Sequence, residues 1–503
     1  MHSRRVLQSI PNPVAVARTA LCALRVCASR REPSHIVRSL LLVLAVPCSL
    51  ALASAPALAK AALPPDLAAK IDHVVNEALA KSGVPSASIA VVRNGELVYV
   101  HAYGEARLDL KTPAAPAMRY DVGSISKQFT AAAILMLQQQ GKLSLDDKVA
   151  KYFPDLTEAD RITLRQLLSH TSGYPDYWPQ DYLMPDRKLP TTPTQIMDHW
   201  AKEPLNFAPG TQWQYSNTNY VIAGAVIEKI TGQTPFAFLE KNVFAPLGIT
   251  DAYDANLHAL PAGDAGGYHR YALGPLRPSK DAGANWMFGA GELAMTASDL
   301  AKWDIAMIDN TVLQPASWKA METDTLLSDG LASSYGLGVF VGRFDGHRMI
   351  SHDGEALGFT AANYVFPDDR TAVVVLTNQD AVTASNVMGQ AIAQALFEVH
   401  EPGGAKALAQ AKAIFAGLQH GRFDRSLFSP DANSYFDATA LHDYQTSLAP
   451  LGKPRSFTIR GAEKRGGMQM RAYTIAFPNT KLVAITYTLP DGKLEQYIVF
   501  PAD

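Results

Sequence analysis

The sequence predicts an α/β domain with an all-helical insertion, followed by a small α+β domain. Strand-like runs occur near both ends of residues 60–400, whereas the chain between about Gln128 and Gly330 reads as mainly helical. A sheet built from both ends of this segment, with the helices inserted between them, fits that order. The run Glu401-Pro402-Gly403-Gly404 has the composition of a linker, and residues 405–503 then combine helical and strand-like patterns.

The first 59 residues differ from the rest of the chain. They hold seven Arg and one acidic residue, and they continue into the apolar run Ser39 to Ala55 and the small-residue site Ala57-Leu58-Ala59. This order is typical of a secretory signal, so we expect cleavage near Ala59 and a secreted or periplasmic mature protein. The apolar run contains Pro47 and is short for a membrane span, so no stable span is expected after cleavage.

Cysteine and charge content restrict the chemistry. All three cysteines, Cys22, Cys27 and Cys48, lie in the predicted leader, so a thiol nucleophile, a cysteine metal site and disulfides are excluded from the mature chain. Removing the leader takes away seven of 45 basic residues and one of 47 acidic residues, which leaves a net charge of −8. A net acidic chain without basic tracts argues against nucleic acid as a partner.

The predicted elements follow in chain order. A helix is expected over Asp66 to Lys81, and two strands, Ala87 to Val92 and Glu96 to Tyr103, flank the hairpin dipeptide Asn94-Gly95. Further helices are expected at Thr163 to Ser169, Thr191 to Trp200, Thr218 to Thr231, Thr234 to Phe244 and from Thr296 through Met307. Strands return at Tyr335 to Val341, Arg348 to His352, Thr360 to Phe366 and Thr371 to Thr377, before a helix from Ala384 to Val399. The C-terminal domain is expected to hold helices at Ala405 to Leu418 and Ala438 to Leu448, followed by four strands.

Ser124 and Lys127 are the first candidate catalytic groups. They precede the apolar, helix-forming run Thr130 to Leu137, and residues three apart share one face of a helix. A hydroxyl becomes a nucleophile when a neighbouring base takes its proton, and an amine can be that base when burial lowers its pKa. Because Ser-x-x-Lys also occurs by chance, the pair taken alone favours a plain helix start, with Ser124 as N-cap and Lys127 solvated.

Two downstream runs add suitable polar groups. Tyr215-Ser216-Asn217 precedes the helix from Thr218, where a Tyr can relay protons and an Asn can bond a substrate amide. His352-Asp353-Gly354 lies between two strand-like runs. Taken singly, the first run is better explained as a helix cap with Tyr215 packing, and the second as a turn with an exposed His. His170, after the helix ending at Ser169, could complement the helix dipole, with Gly173 as the C-cap.

Together and in this order, the three runs resemble the S-x-x-K, Y-x-N and K/H-x-G motifs of the serine β-lactamase and penicillin-binding protein superfamily. Gly123 to Lys127 is most similar to class C β-lactamases and to their esterase and D-peptidase relatives, and the segments Leu167 to Gly173, Pro246 to Ile249 and Gly289 to Leu293 also look like that group. The resemblance spans roughly residues 70–400 and implies a β-lactamase/transpeptidase-like fold. Residues 405–503 lie outside it and resemble, weakly, an NTF2-like module.

The resemblance implies roles for individual residues. Ser124 would be the nucleophile of an acyl-enzyme, Lys127 and Tyr215 would share proton transfer with the identity of the base left open, and Asn217 would orient the substrate. Backbone N–H groups of Ser124 and of Glu355, which follows Gly354, would form the oxyanion hole. No cofactor or metal is needed.

One position departs from the common pattern. His352 stands where a Lys is often found, and it carries a charge only if its pKa is close to neutral. Together with the nearby Glu355, this favours an esterase or a broader amidase over a dedicated β-lactamase or D-Ala carboxypeptidase.

The expected function is therefore a serine acyl hydrolase that acts on a small ester or amide, including a β-lactam or a D-amino-acid peptide. Two alternatives stay open at this stage. One is a penicillin-binding sensor that is acylated without turnover, and the other is a non-catalytic binding protein in which the C-terminal domain recognises an unidentified partner.

Overall fold

The computed structural model describes residues 62–180, 182–397 and 404–502, so the predicted leader and its cleavage site lie outside the described residues. The centre of the first domain is a seven-stranded antiparallel sheet. In spatial order its strands are β3 (Thr112–Pro113), β2 (Glu96–Arg107), β1 (Ser86–Arg93), β12 (Thr371–Thr377), β11 (Phe359–Phe366), β10 (His347–Ala356) and β9 (Phe340–Phe344).

The sheet joins the two ends of the domain, as the sequence predicts. Ile89 of β1 lies opposite His101 of β2 and also opposite Val375 of β12. Both central strands are buried along almost their whole length because helices cover both faces of the sheet. Side chains that alternate along β1 therefore enter different cores, with Ile89 in one and Ala90 in the other.

One face of the sheet is covered by the terminal helices and the other by the helical region. Helices α1 (Pro65–Ser82) and α10 (Ala384–Phe397) contact each other and share a core with alternate residues of β1 and β12. On the opposite face, α8 (Ala297–Ile308) packs on β1 and β12. Its N-cap is Thr296, as predicted, whose side-chain oxygen accepts a hydrogen bond from Asp299 N–H.

The helical region is organised around α2 (Ser126–Gln139), which is buried from its first residue through Leu137. Its other members are α3 (Leu164–Leu168), α4 (Pro193–Ile196), α5 (Asn217–Thr231), α6 (Pro235–Leu239), α7 (Ala245–Leu247) and α9 (Pro315–Met321). Short strands complete it, namely β4 (Tyr120–Asp121), β5 (Tyr253–Asp254), β6 (Tyr268–His269), β7 (Arg277–Pro278) and β8 (Leu293–Met295). No helix in the described ranges is long and apolar enough to cross a membrane.

The C-terminal domain has a separate apolar core. It contains α11 (Gly404–Gln419), α12 (Pro430–Tyr435), α13 (Ala438–Leu448), β13 (Ser456–Arg465), β14 (Met468–Ala476), β15 (Lys481–Thr488) and β16 (Leu494–Pro501). The four strands form one antiparallel sheet in sequence order. The α+β prediction is therefore confirmed.

Two sequence predictions are wrong in detail near β9 and β10. The expected strand Tyr335 to Val341 is mostly loop, and β9 begins only at Phe340. Gly338 has φ +78°, and a Cβ there would lie 2.7 Å from the Lys127 carbonyl oxygen, so this loop turns to pack closely on α2. In contrast, His352-Asp353-Gly354 is not a turn, because β10 continues through it and pairs with β11 as far as Ala356.

Candidate active site

Ser124 lies in a 3-10 turn, Gly123–Ile125, immediately before α2 rather than within the α-helix. Two close backbone approaches fix this turn against β10. A Cβ on Gly123, which has φ +50°, would lie 2.6 Å from the Glu355 carbonyl oxygen, and a Cβ on Gly354 would lie 1.9 Å from the Val122 carbonyl oxygen. Only glycine fits at either position. The two glycines therefore allow the backbone of Ser124 and the backbone of Glu355 to lie close together.

Lys127 is fully buried one turn after Ser124. Its Nζ lies 3.0 Å from Ser124 Oγ and also donates hydrogen bonds to Asn217 Oδ1 at 2.8 Å and to the Ala290 carbonyl oxygen at 2.7 Å. Burial lowers the pKa of Lys127 to about 7, and the negative charge of Asp176 opposes that shift. A large fraction of this amine is therefore neutral near pH 7, which meets the requirement for a base beside a hydroxyl.

Tyr215 contacts the same Ser124 oxygen. Its hydroxyl donates to Ser124 Oγ at 2.8 Å, and Lys127 Nζ lies 4.9 Å from the centre of its ring. Burial raises the pKa of Tyr215 well above its usual value, with Asp176 adding to the rise. The phenol therefore keeps its proton near neutral pH, and of the two candidate bases only Lys127 is neutralised in this range.

Asn217 is held by a carboxylate that the sequence analysis did not single out. Asp176 accepts hydrogen bonds from Asn217 N–H at 3.0 Å and from Asn217 Nδ2 at 3.2 Å. These two bonds fix the amide orientation, because they leave Oδ1 facing Lys127 and assign Nδ2 to the carboxylate. No sequence motif marks Asp176, since it lies in a loop 41 residues before Asn217.

His352 is buried and has both ring nitrogens occupied. Its Nε2 lies 2.9 Å from the hydroxyl of Tyr335, and its Nδ1 lies 2.6 Å from the carbonyl oxygen of Asp353. A carbonyl can only accept, so Nδ1 carries the proton and Nε2 accepts from Tyr335. Burial and the charge of Lys127 lower the pKa of His352 to about 4, so this residue is neutral near pH 7 and cannot replace the charge of a Lys.

His170 supports the turn that carries Tyr215. It is fully buried at φ +58°, an uncommon backbone conformation for a residue with a side chain. Its Nδ1 lies 3.2 Å from Ser216 N and 3.3 Å from Asn219 Nδ2, and its ring centre is 4.4 Å from that of Tyr215. The sequence interpretation of His170 as a dipole-compensating residue is thus wrong, since burial lowers its pKa well below the usual value. Helix α3 ends at Leu168 with Ser169 as its cap, so Gly173 is not the cap either.

Gly354 and Glu355 lie beside Ser124, as the oxyanion-hole prediction requires. A Cβ on Gly354 would be 3.3 Å from Ser124 N, and one on Gly123 would be 2.9 Å from Glu355 N, so the two backbone nitrogens lie at the same edge of the cleft. The Glu355 carboxylate is directed elsewhere, since its Oε1 accepts a hydrogen bond from Ala381 N–H at 2.9 Å.

These groups open into a cleft of about 540 Å³. Its wall is largely aromatic and apolar, and the acidic side chains among its lining residues are carboxylates. The residues that carry this character are Trp178, Trp213, Met287, Phe340, Asp353 and Glu355. Among the described residues, no Lys or Arg lines the cleft, and no cluster of His, Cys, Asp or Glu is suited to a metal ion.

Comparison with known proteins identifies the family of this chain. A family model described as "Beta-lactamase" matches residues 71–397, so the chain belongs to the β-lactamase family. Penicillin-binding protein 4* of Bacillus subtilis is 28% identical over 314 residues, which cover 59% of this chain and 68% of that protein.

Two solved structures share the fold over the first domain. The D-amino acid amidase of Ochrobactrum anthropi SV3, complexed with D-phenylalanine, is 25% identical with a TM-score of 0.58 and covers 66% of this chain and 99% of its own. A D-stereospecific amidohydrolase from Streptomyces sp. is 28% identical with a TM-score of 0.57 and covers 65% of this chain and 98% of its own. The predicted β-lactamase/transpeptidase-like fold is confirmed, and the chain is in general terms a serine hydrolase of this family.

Proposed function

We propose that the protein hydrolyses amides and esters of apolar D-amino acids through an acyl-enzyme on Ser124. The observation that carries this proposal is the buried Lys127 amine, 3.0 Å from Ser124 Oγ and with a pKa of about 7. A neutral amine has two N–H groups, and two fixed acceptors, Asn217 Oδ1 and the Ala290 carbonyl, take them. Its lone pair is then left for the Ser124 proton.

In the proposed acylation step, Lys127 takes the hydroxyl proton while Ser124 Oγ forms a bond to the substrate carbonyl carbon. The negative charge that develops on the carbonyl oxygen is stabilised by the backbone N–H groups of Ser124 and Glu355. The hydroxyl of Tyr215, bonded to Oγ, passes a proton to the leaving amine or alcohol as its bond to carbon breaks, and is reprotonated from Lys127. Water then attacks the acyl-enzyme and releases the acid by the reverse proton path.

The charge of the cleft supports an amide or ester substrate over a peptide with a free carboxylate beside the scissile bond. His352 is neutral, no Lys or Arg is found among the described residues that line the cleft, and Asp353 is exposed on its wall. A substrate carboxylate would meet carboxylates there, whereas an α-ammonium group would be attracted. The D configuration is taken from the two related hydrolases named above, and the aromatic wall fits an apolar side chain.

The test compares D-phenylalanine amide, L-phenylalanine amide and D-phenylalanyl-D-alanine, which carries a free carboxylate, as substrates of the mature protein. We expect kcat/KM to be highest for the D-amide and at least about tenfold lower for the dipeptide. Ser124→Ala should lose at least about 10⁴-fold, whereas Ser328→Ala, a matched change at an exposed serine outside the cleft, should keep full activity. Equal activity of Ser124→Ala and wild type would overturn the assignment.

A penicillin-binding function is the second candidate, because the Bacillus relative carries that name. A binding protein is acylated by penicillin but releases the adduct slowly, whereas the proposed hydrolase turns over its substrate. Intact mass after penicillin treatment, followed for hours, separates the two. A persistent adduct on Ser124 together with no turnover of any of the three substrates would favour the binding protein.

A further inference from the structure

The C-terminal domain contains a second cavity, of about 560 Å³, none of whose residues lines the catalytic cleft. It lies between the end of α11 and the segment that connects α13 to β13. The residues that line it are Lys412, Phe415, Ala416, Gln419, His420, Ala449, Gly452, Lys453, Pro454, Arg455, Ser456 and Phe457. Its volume is within the range of small-molecule sites.

The floor of this cavity is apolar. Phe415 and Phe457 meet edge to face with their ring centres 5.8 Å apart, and both belong to the core of the domain. Gln419 offers little to a ligand, because its Nε2 already donates to the Leu448 carbonyl oxygen at 3.0 Å and to the Gly452 carbonyl oxygen at 2.9 Å. The interior therefore suits a hydrocarbon group.

The rim, in contrast, is cationic. Lys412, Lys453 and Arg455 are exposed around the opening, and none of the described residues that line the cavity is acidic. The net charge of the surrounding domain is also positive, with twelve Lys and Arg against seven Asp and Glu in residues 404–502. Residues 62–397 have the opposite balance, with 25 Lys and Arg against 36 Asp and Glu. The positive charge is thus a property of the C-terminal domain and not of the chain as a whole.

We propose that this cavity binds a single-chain anionic amphiphile, namely a long-chain carboxylate. Its alkyl tail lies on Phe415 and Phe457, and its carboxylate meets Lys412, Lys453 and Arg455. An apolar floor within a cationic rim matches both parts of such a molecule, whereas a simple anion would leave the floor empty. A concave site in one small domain takes one monomer, and an extended polyanion would instead require a longer basic groove.

The first experiment measures binding of octanoate, decanoate and dodecanoate by calorimetry, below their micelle concentrations. It uses the mature protein with Ser124→Ala, so that turnover plays no part. Burial of each additional pair of methylenes should strengthen binding about tenfold. Dodecyltrimethylammonium, which has the same tail and the opposite charge, should bind at least about tenfold more weakly than dodecanoate.

Two variants locate the site. Ala416→Trp adds a large side chain to a lining position on the exposed side of α11 and should weaken dodecanoate binding at least about tenfold by filling the cavity. Lys453→Glu with Arg455→Glu should weaken it by a similar factor. The matched control is Lys406→Glu with Lys481→Glu, which makes the same charge change at exposed positions outside the cavity and should leave the affinity within about twofold.

The proposal is overturned if the cationic amphiphile binds as tightly as dodecanoate, or if Ala416→Trp binds normally. It is also overturned if the control pair weakens binding as much as the rim pair, since total charge would then be the cause. Binding to anionic phospholipid vesicles without binding of the monomer would indicate a membrane surface instead. If Ala416→Trp fails to fold, the comparison of Lys453→Glu with Arg455→Glu against its control pair still tests the proposal. None of these results depends on the proposed hydrolase activity.

Discussion

The pH dependence of activity offers a quantitative test of Lys127 as the base. Because the amine accepts the Ser124 proton only when it is neutral, kcat/KM should follow the neutral fraction of Lys127. With a pKa of about 7, that fraction is about 1% at pH 5 and about 90% at pH 8. Because half of the amine is neutral at pH 7, hydrolysis of D-phenylalanine amide should be roughly 50-fold faster at pH 7 than at pH 5, a range in which the substrate keeps most of its α-ammonium charge. The rate should fall tenfold per unit below pH 6.

Two variants test which group causes the acid limb of the pH profile, the range in which kcat/KM falls as pH is lowered. The charge of Asp176 raises the pKa of Lys127, so Asp176→Asn should move the limb to lower pH. Asp121, three residues before Ser124, also has a pKa of about 7, raised by burial, and Asp121→Asn should leave the limb in place. A profile that is flat from pH 5 to pH 8, a limb that moves upward in Asp176→Asn, or one that disappears in Asp121→Asn would refute Lys127 as the base.

Three further predictions concern single residues. Tyr215→Phe keeps the ring contact with His170 but removes the hydroxyl, so kcat should fall about 10²-fold while the melting temperature changes little. An unchanged kcat would exclude Tyr215 from proton transfer. Gly354→Ala places a Cβ 1.9 Å from the Val122 carbonyl oxygen, so urea titrations should show a free energy of unfolding lower by about 1–3 kcal/mol, together with loss of activity. Wild-type stability and activity in this variant would show that the turn can relax. Asp304 is buried and its pKa is raised to about 8, so between about pH 4 and pH 8 the folded state binds a proton that the unfolded state does not, and the free energy of unfolding falls as pH rises through this window. In Asp304→Asn, denaturation curves should show a smaller decline, and an unaltered decline would assign it to other groups.

The parts of the fold and site that sequence predicts well are those set by local pattern. The hairpin at Asn94-Gly95, the apolar helix after Ser124 and the N-cap at Thr296 each follow from neighbouring residues, and each is present. Ser124 and Lys127 meet for the same reason, since their contact depends on a separation of three residues.

What the sequence could not predict depends on contacts between distant segments. Asp176 orients Asn217 from a loop without a motif, and Tyr335 reaches His352 from a segment that looks like a strand. The neutral state of His352 follows from burial that no local pattern encodes. His170 is a partial exception, because it belongs to a run that resembles the family, but its contact with Tyr215 could not be derived from that resemblance.

The central claim is that Ser124 becomes covalently acylated during turnover. The most direct measurement is intact mass spectrometry of the mature protein, acid-quenched within milliseconds of mixing with D-phenylalanine methyl ester, followed by peptide mapping. The account predicts a transient mass increase equal to the phenylalanyl group, located on Ser124 and absent from Ser124→Ala. Turnover without any adduct at Ser124, or the same adduct in Ser124→Ala, would contradict it.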